Sequence, residues 1–184
     1  MNRVLFVVLF TGIFVISGCG EANKGPAVDG TSRFPAELAG RWKAEDKSGW
    51  EIVFEKDGSI SSVVHTFGRF TLQPGKETIS PMIGGGQSIL QPGKWKVAYN
   101  HTTRMLEAEI VLEHFYTEMD EAVIEGSRKD IMAGQVSDDG KTWAVVCTSF
   151  MECTTIVKEV VKNLFSDPEH GDKTEFVFKK QSDQ

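Results

Sequence analysis

The side chains of this 184-residue chain with the most reactive chemistry are its three cysteines and four histidines. Cys19 closes the only long apolar run, directly after the small residues Ser17 and Gly18. Its thiol is the one group there nucleophilic enough near neutral pH to form a thioether. Cys147 and Cys153 form an even pair, which in an exported protein points to a structural disulfide. The residues between them can turn back and bring the two Cα atoms to the ~5.5 Å that a disulfide needs. Two free buried thiols or a redox pair are the alternatives, although a redox pair usually has a shorter spacing. His65, His101, His114 and His170 lie far apart, with no His-x-x-x-His or paired Cys/His spacing, so a zinc site would have to assemble through space. Glu113, Glu118, Asp120, Glu121 and Glu125 could form an acid/base pair or a calcium loop. They lack an Asp-x-Asp-x-Asp-Gly order, and a solvated edge is the plainer reading. No Gly-x-Ser-x-Gly elbow or phosphate-binding loop appears. The chain therefore reads as non-enzymatic, with no catalytic residues, metal or cofactor implied.

The apolar run from Val4 to Ile16 follows a single charge, Arg3. A bilayer-spanning helix needs about 20 such residues, so this run is too short to be one. A charged start, a short apolar stretch and small residues before a cut site read as a secretory signal. Ile16-Ser17-Gly18-Cys19 resembles the lipobox of bacterial lipoproteins. That resemblance implies cleavage between Gly18 and Cys19 and lipidation of the Cys19 thiol, making the membrane a partner. Each buried methylene contributes roughly 0.8 kcal/mol, so two or more acyl chains hold a protein stably. Gly20 stands where an aspartate would signal retention at the inner membrane, so the implied address is the outer membrane, facing the periplasm or the surface.

Removing residues 1–18 leaves 166 of the 184 residues, about one domain. With Arg3 gone, 19 of the 20 Lys+Arg remain against 26 Asp+Glu. No basic cluster is left, which argues against nucleic acid and anionic headgroups as partners. Residues 19–34 are polar and rich in Gly and Pro, and cannot bury enough to offset their ordering entropy. They read as a lipidated flexible tether with an end-to-end distance of roughly 20 Å.

From residue 35 to 181 the pattern is dominated by alternation. Trp50, Ile52 and Phe54 alternate with Glu51, Val53 and Glu55, and Asp57-Gly58 then supplies a hairpin turn leading into Ile60–His65. Asp139-Gly140 reverses the chain in the same way into Ala144–Cys147. Trp95, Val97 and Tyr99 form another strand. Leu106, Ala108, Ile110 and Leu112 alternate with Glu107, Glu109, Val111 and Glu113, a half-buried strand with an acidic outer face. Ala122–Glu125 and Asp130–Gln135 form a weaker pair. Gly40–Ala44, Arg69–Leu72 and Phe176–Phe178 bring the count to nine or ten short strands, consistent with a barrel or a sandwich. Ile156, Val157, Val160, Val161, Leu164 and Phe165 recur at helical spacing. Thr155 as N-cap and Asp167-Pro168 as stop make them a C-terminal amphipathic helix packed on the sheet.

A strand meander, a late helix and a final short strand resemble the lipocalin or calycin architecture, as does Gly40-Arg41-Trp42 at the start of the first strand. The resemblance implies that Trp42 plugs the closed end of a barrel. The expected fold is thus all-β with one C-terminal helix, an antiparallel meander closing into a lipocalin-like β-barrel, with a β-sandwich as the alternative. Trp50, Ile52, Phe54, Trp95, Val97, Tyr99, Leu106 and Ile110 would face inward and line a site for a small hydrophobic ligand. Leu72-Gln73-Pro74-Gly75-Lys76 recurs at Leu90-Gln91-Pro92-Gly93-Lys94, and Pro-Gly fits a type II turn. Between the copies, Gly84-Gly85-Gly86 reads as a loop at the barrel mouth, with Met82 and Ile83 touching the ligand, or else as an ordinary connection. The functional expectation is a membrane-anchored carrier of a hydrophobe or envelope component. The alternative is a non-enzymatic interaction module with a packed core.

Overall fold

The structure is a computed structural model that describes residues 33–64, 70–82, 85–119, 121–157 and 160–182. The residues expected to form the signal peptide, the Gly18/Cys19 site and the tether, to residue 32, lie outside the described residues, as do His65, Arg69, Ile83 and Asp120. The described residues form twelve strands. They are β1 (Gly40–Ala44), β2 (Glu51–Phe54), β3 (Ile60–Val64), β4 (Thr71–Leu72), β5 (Thr78–Pro81) and β6 (Gln87–Pro92). Then come β7 (Lys96–Asn100), β8 (Met105–Met119), β9 (Ala122–Val136), β10 (Thr142–Val157), β11 (Val160–Phe165) and β12 (Asp172–Lys180). A 3-10 turn, Ala36–Leu38, precedes β1.

All strands join one antiparallel sheet in the order β4-β3-β2-β1-β12-β10-β9-β8-β6-β5. This nearly closed, barrel-shaped sheet replaces the two facing sheets of a sandwich. It is a simple meander in which the last strand returns to the first, Trp42 pairing with Lys180. Two staves are interrupted. β6 and β7 lie end to end along one edge of β8, and β11 and β12 do the same along β10. Strands β8, β9 and β10 run 15, 15 and 16 residues, so each is about 50 Å long at ~3.3 Å per residue.

Local chemistry accounts for the turns. Asp57 accepts hydrogen bonds from the Ser59 N–H and hydroxyl at 2.9 and 2.7 Å, while Gly58 takes φ 87°. Asp139 and Gly140 (φ 66°) repeat the device, with Asp139 accepting from the Ser137 hydroxyl at 2.6 Å. Glycine adopts positive φ without the Cβ clash that penalises other residues.

The two Leu-Gln-Pro-Gly-Lys copies meet. In the first, Gly75 has φ 68° and a bridge joins Gln73 to Lys76, as a type II turn requires. The second copy lies in β6, where a register shift between Gln91 and Pro92 accommodates the missing N–H. The Gly75 N–H donates to the Pro92 and Gly93 carbonyls at 3.1 and 3.2 Å. Leu72 and Leu90 are buried in the same apolar cluster. The repeat thus ties β4 to β6 across the seam.

The segment expected to be a helix is a β-hairpin. Ile156 pairs with Val161 and Val157 with Val160, and the ribbon continues to Glu152 opposite Phe165. The apolar pairs that recur every four residues also face each other across a hairpin. Three of the six are Val and one is Ile, whose branched Cβ favours strand over helix. Asp167 does not stop a helix but organises the turn into β12, accepting from the Glu169 and His170 N–H groups at 2.8 and 3.0 Å.

Candidate functional site: the barrel interior

Six of the residues expected to line a ligand site come together. Trp50, Phe54, Leu106 and Ile110 are at most 1% exposed in the larger apolar cluster, with Trp95 and Tyr99 packed against it. The space between them is already filled. Trp143 sits 5.3 Å from Phe178, 6.0 Å from Phe54 and 6.5 Å from Trp42, ring centre to ring centre. Three indole N–H groups are satisfied internally: Trp42 donates to the Leu38 carbonyl (2.9 Å), Trp143 to Gly134 (3.1 Å) and Trp95 to Val111 (2.9 Å). Trp42, Ile52, Leu106, Met132, Trp143 and Phe178 are 0% exposed, so no space large enough for a water opens against them. Small-molecule sites occupy roughly 300 Å³ or more. Burial pushes the Tyr99 phenol above its ordinary range. Met82 stands apart in the β5–β6 turn, where its N–H donates to Gly86, and it belongs to neither apolar cluster.

The interior also holds a polar cluster that the sequence reading missed. Along β10 the inward positions run Trp143, Val145 and Cys147 in the larger apolar cluster, then Ser149, then Met151 and Cys153 in or against the smaller one. Ser149 pairs with Asp130 of β9. Asp130 is 1% exposed. Its carboxylate accepts from Arg128 Nε (2.9 Å) and Nη2 (2.9 Å), a bidentate pair, and from the Ser149 hydroxyl at 2.5 Å. Arg128 also donates to Ser149 Oγ at 3.2 Å. Charge-assisted bonds of this kind allow an ion to be buried. The sequence signal was Arg-x-Asp in phase with Met132 and Gly134, inward residues of the same strand.

This cluster has no nucleophile poised for attack. Burial first, and the Asp130 charge second, push the Cys147 thiol up to about 11, far from the reactive thiolate. The Ser149 hydroxyl is held by the Asp130 carboxylate, whose charge the Arg128 guanidinium already pairs. Among the described histidines, His101 bonds the Arg33 carbonyl, His114 pairs with Glu125 at 2.9 Å and His170 pairs with Asp167 at 3.1 Å. The expected disulfide is absent: Cys147 and Cys153 are buried free thiols. Both sit on the inner face of the same extended strand, six positions apart. At ~3.3 Å per residue their Cα atoms are about 20 Å apart, beyond any disulfide. Glu125 pairs with His114 and the other described carboxylates of 113–125 lie along the β8–β9 stretch; no described group of three or more His, Cys, Asp or Glu is placed to hold a metal.

Comparison with protein-family models, curated proteins and solved structures finds no match.

Proposed function

We propose that the protein is a lipid-anchored, non-enzymatic interaction module of the cell envelope, built on a packed, lipocalin-like barrel. The observation that carries this reading is the filled interior. The side chains expected to line a hydrophobe site are packed against Trp42, Trp143 and Phe178, and Trp42, Ile52, Leu106, Trp143 and Phe178 are 0% exposed. Between residues of the two apolar clusters, Arg128 and Asp130 put a paired charge on the inner face of β9, which an apolar ligand would have to desolvate. Lipocalin likeness is supported by three features: Gly40-Arg41-Trp42 opens the first strand, that strand pairs with the last, and Trp42 is fully buried. Lys180, the cross-strand partner of Trp42, donates to the Glu37 carbonyl at 2.5 Å and so ties the last strand to the turn before the first. The anchor is proposed on Cys19 alone, from Ile16-Ser17-Gly18-Cys19, with outer-membrane delivery from Gly20.

Native mass spectrometry of the protein extracted from its host membrane tests this function. The expected spectrum contains the chain plus its covalent lipid and no other retained molecule. A stoichiometric co-purifying hydrophobe would overturn the packed-module reading in favour of a carrier.

A further inference from the structure

Among the described residues, the β10–β11 ribbon is the stretch whose apolar side chains meet solvent on both faces. Val160, Val161, Leu164 and Phe165 are 51–68% exposed, and Ile156 and Val157 are about 40% exposed. Edge strands are normally guarded by charges or proline against pairing with another chain. The six residues of β11 carry one charge, Lys162, and no proline. Among the described residues β11 pairs only with β10, so its outer edge is open.

The polarity of that edge follows from one hydrogen bond. The Ser166 N–H donates to the Met151 carbonyl at 2.8 Å. Backbone groups therefore turn toward β10 at 166, 164, 162 and 160, and turn outward at Val161, Asn163 and Phe165. A second β11 can use these groups only in a two-fold antiparallel register, in which paired residues share a face. Two such registers overlap the whole strand. One is centred on Lys162 and sets two ammonium groups directly opposite each other, which is destabilising. The other is centred on Asn163. It pairs Val161 with Phe165 of the second copy and Lys162 with Leu164, and brings no like charges together. Ile156, opposite Val161 on β10, extends the same apolar band.

We infer that β11 is a self-pairing edge through which two copies of this chain join, antiparallel and centred on Asn163. This rests on the interaction-module reading and supplies its partner, a second copy. The overlap is shorter than the interface of about 800 Å² per partner typical of stable dimers, so the pairing is reversible and favoured by confinement on a membrane.

Thiol cross-linking of the full chain in detergent tests the inference. The native described thiols are buried, so an introduced cysteine reports alone against the unmodified protein as control. Asn163→Cys is expected to give a covalent dimer with a short bis-maleimide. Val146→Cys, exposed on the barrel wall, is not. Adding Val161→Lys to Asn163→Cys places charge against an apolar partner and should cut the dimer yield about tenfold, as a loss of ~1.4 kcal/mol would. A second variant, Asn163→Pro, removes an outward N–H while leaving the bonds to β10 in place, and should make the chain monomeric in sedimentation. Equal cross-linking at positions 163 and 146, or a yield unmoved by Val161→Lys, would overturn the pairing. So would binding of the ribbon to phosphatidylethanolamine/phosphatidylglycerol vesicles by a chain that stays monomeric. None of these outcomes depends on whether a hydrophobe co-purifies, which tests the packed-module reading separately.

Discussion

Removing one partner of the Arg128–Asp130 pair should be costlier than removing both. Asp130 is wholly inside the barrel, and Arg128 retains 19% side-chain exposure. Asp130→Ala leaves the guanidinium without its carboxylate and the Ser149 O–H without its acceptor in an apolar setting, and a broken buried pair costs about 3–5 kcal/mol. Replacing both residues with apolar side chains of similar volume, as in Arg128→Met with Asp130→Leu, removes the uncompensated charge. It should recover most of that loss. Urea denaturation of the single and double variants checks this, the single variant showing the lower midpoint at an unchanged slope.

At the scale of elements, β9 depends on a missing side chain. A Cβ on Gly134 would collide with the Ala144 carbonyl oxygen of β10, and the Gly134 carbonyl accepts the indole N–H of buried Trp143. Gly134→Ala must push the two strands apart beneath the aromatic cluster. Overpacking of this kind costs about 1–3 kcal/mol, measurable as a lowered melting temperature with the far-ultraviolet β signal retained. The same strand shows where sequence legibility ends. Alternation located β2, β7 and the start of β8, and Asp-Gly located two hairpin turns, because these signals are local. The single β9 read as two weak pieces because Gly126, Ser127 and Arg128 interrupt its apolar pattern, yet Gly126 faces β10 so closely that a Cβ would meet the Glu152 carbonyl. The β10–β11 ribbon read as a helix because spacing cannot separate a helical stripe from facing residues in a hairpin; branched Val and Ile were the overlooked evidence. The candidate site was half legible. Alternation named the inward apolar residues, but whether their side chains fill the barrel or enclose a cavity depends on strand stagger, which no local pattern encodes.

The whole molecule has two distinct ends. Phe34 packs against Phe54 at 5.8 Å, and the Arg33 carbonyl bonds His101. Residues 33–34 therefore sit beside the turns after β2, β7 and β9, including Ser59, and the proposed tether leads to that end. The tip of the β10–β11 ribbon lies at the other end of strands about 50 Å long. With a tether of roughly 20 Å, a chain held by the proposed lipid on Cys19 keeps the Ser59 end, on average, nearer the bilayer than the ribbon. A fluorophore on Ser59→Cys should accordingly be quenched by a lipid-borne quencher more than one on Asn163→Cys, in vesicles carrying the lipidated chain. Cys19→Ser should abolish both the difference and the membrane association, because it removes the proposed lipid, and the exposed cations Arg41, Lys43 and Lys179 are each paired with a carboxylate. Equal quenching at the two positions would mean that the barrel lies along the membrane, and retention of Cys19→Ser on vesicles would place the anchor elsewhere. An antiparallel pair of ribbons adds a constraint to the same measurement. It sets the two tether-bearing ends at opposite ends of the dimer, so two copies on one bilayer can pair only by lying along it. The quenching difference should therefore shrink as the surface density of protein, and with it the dimer fraction, rises.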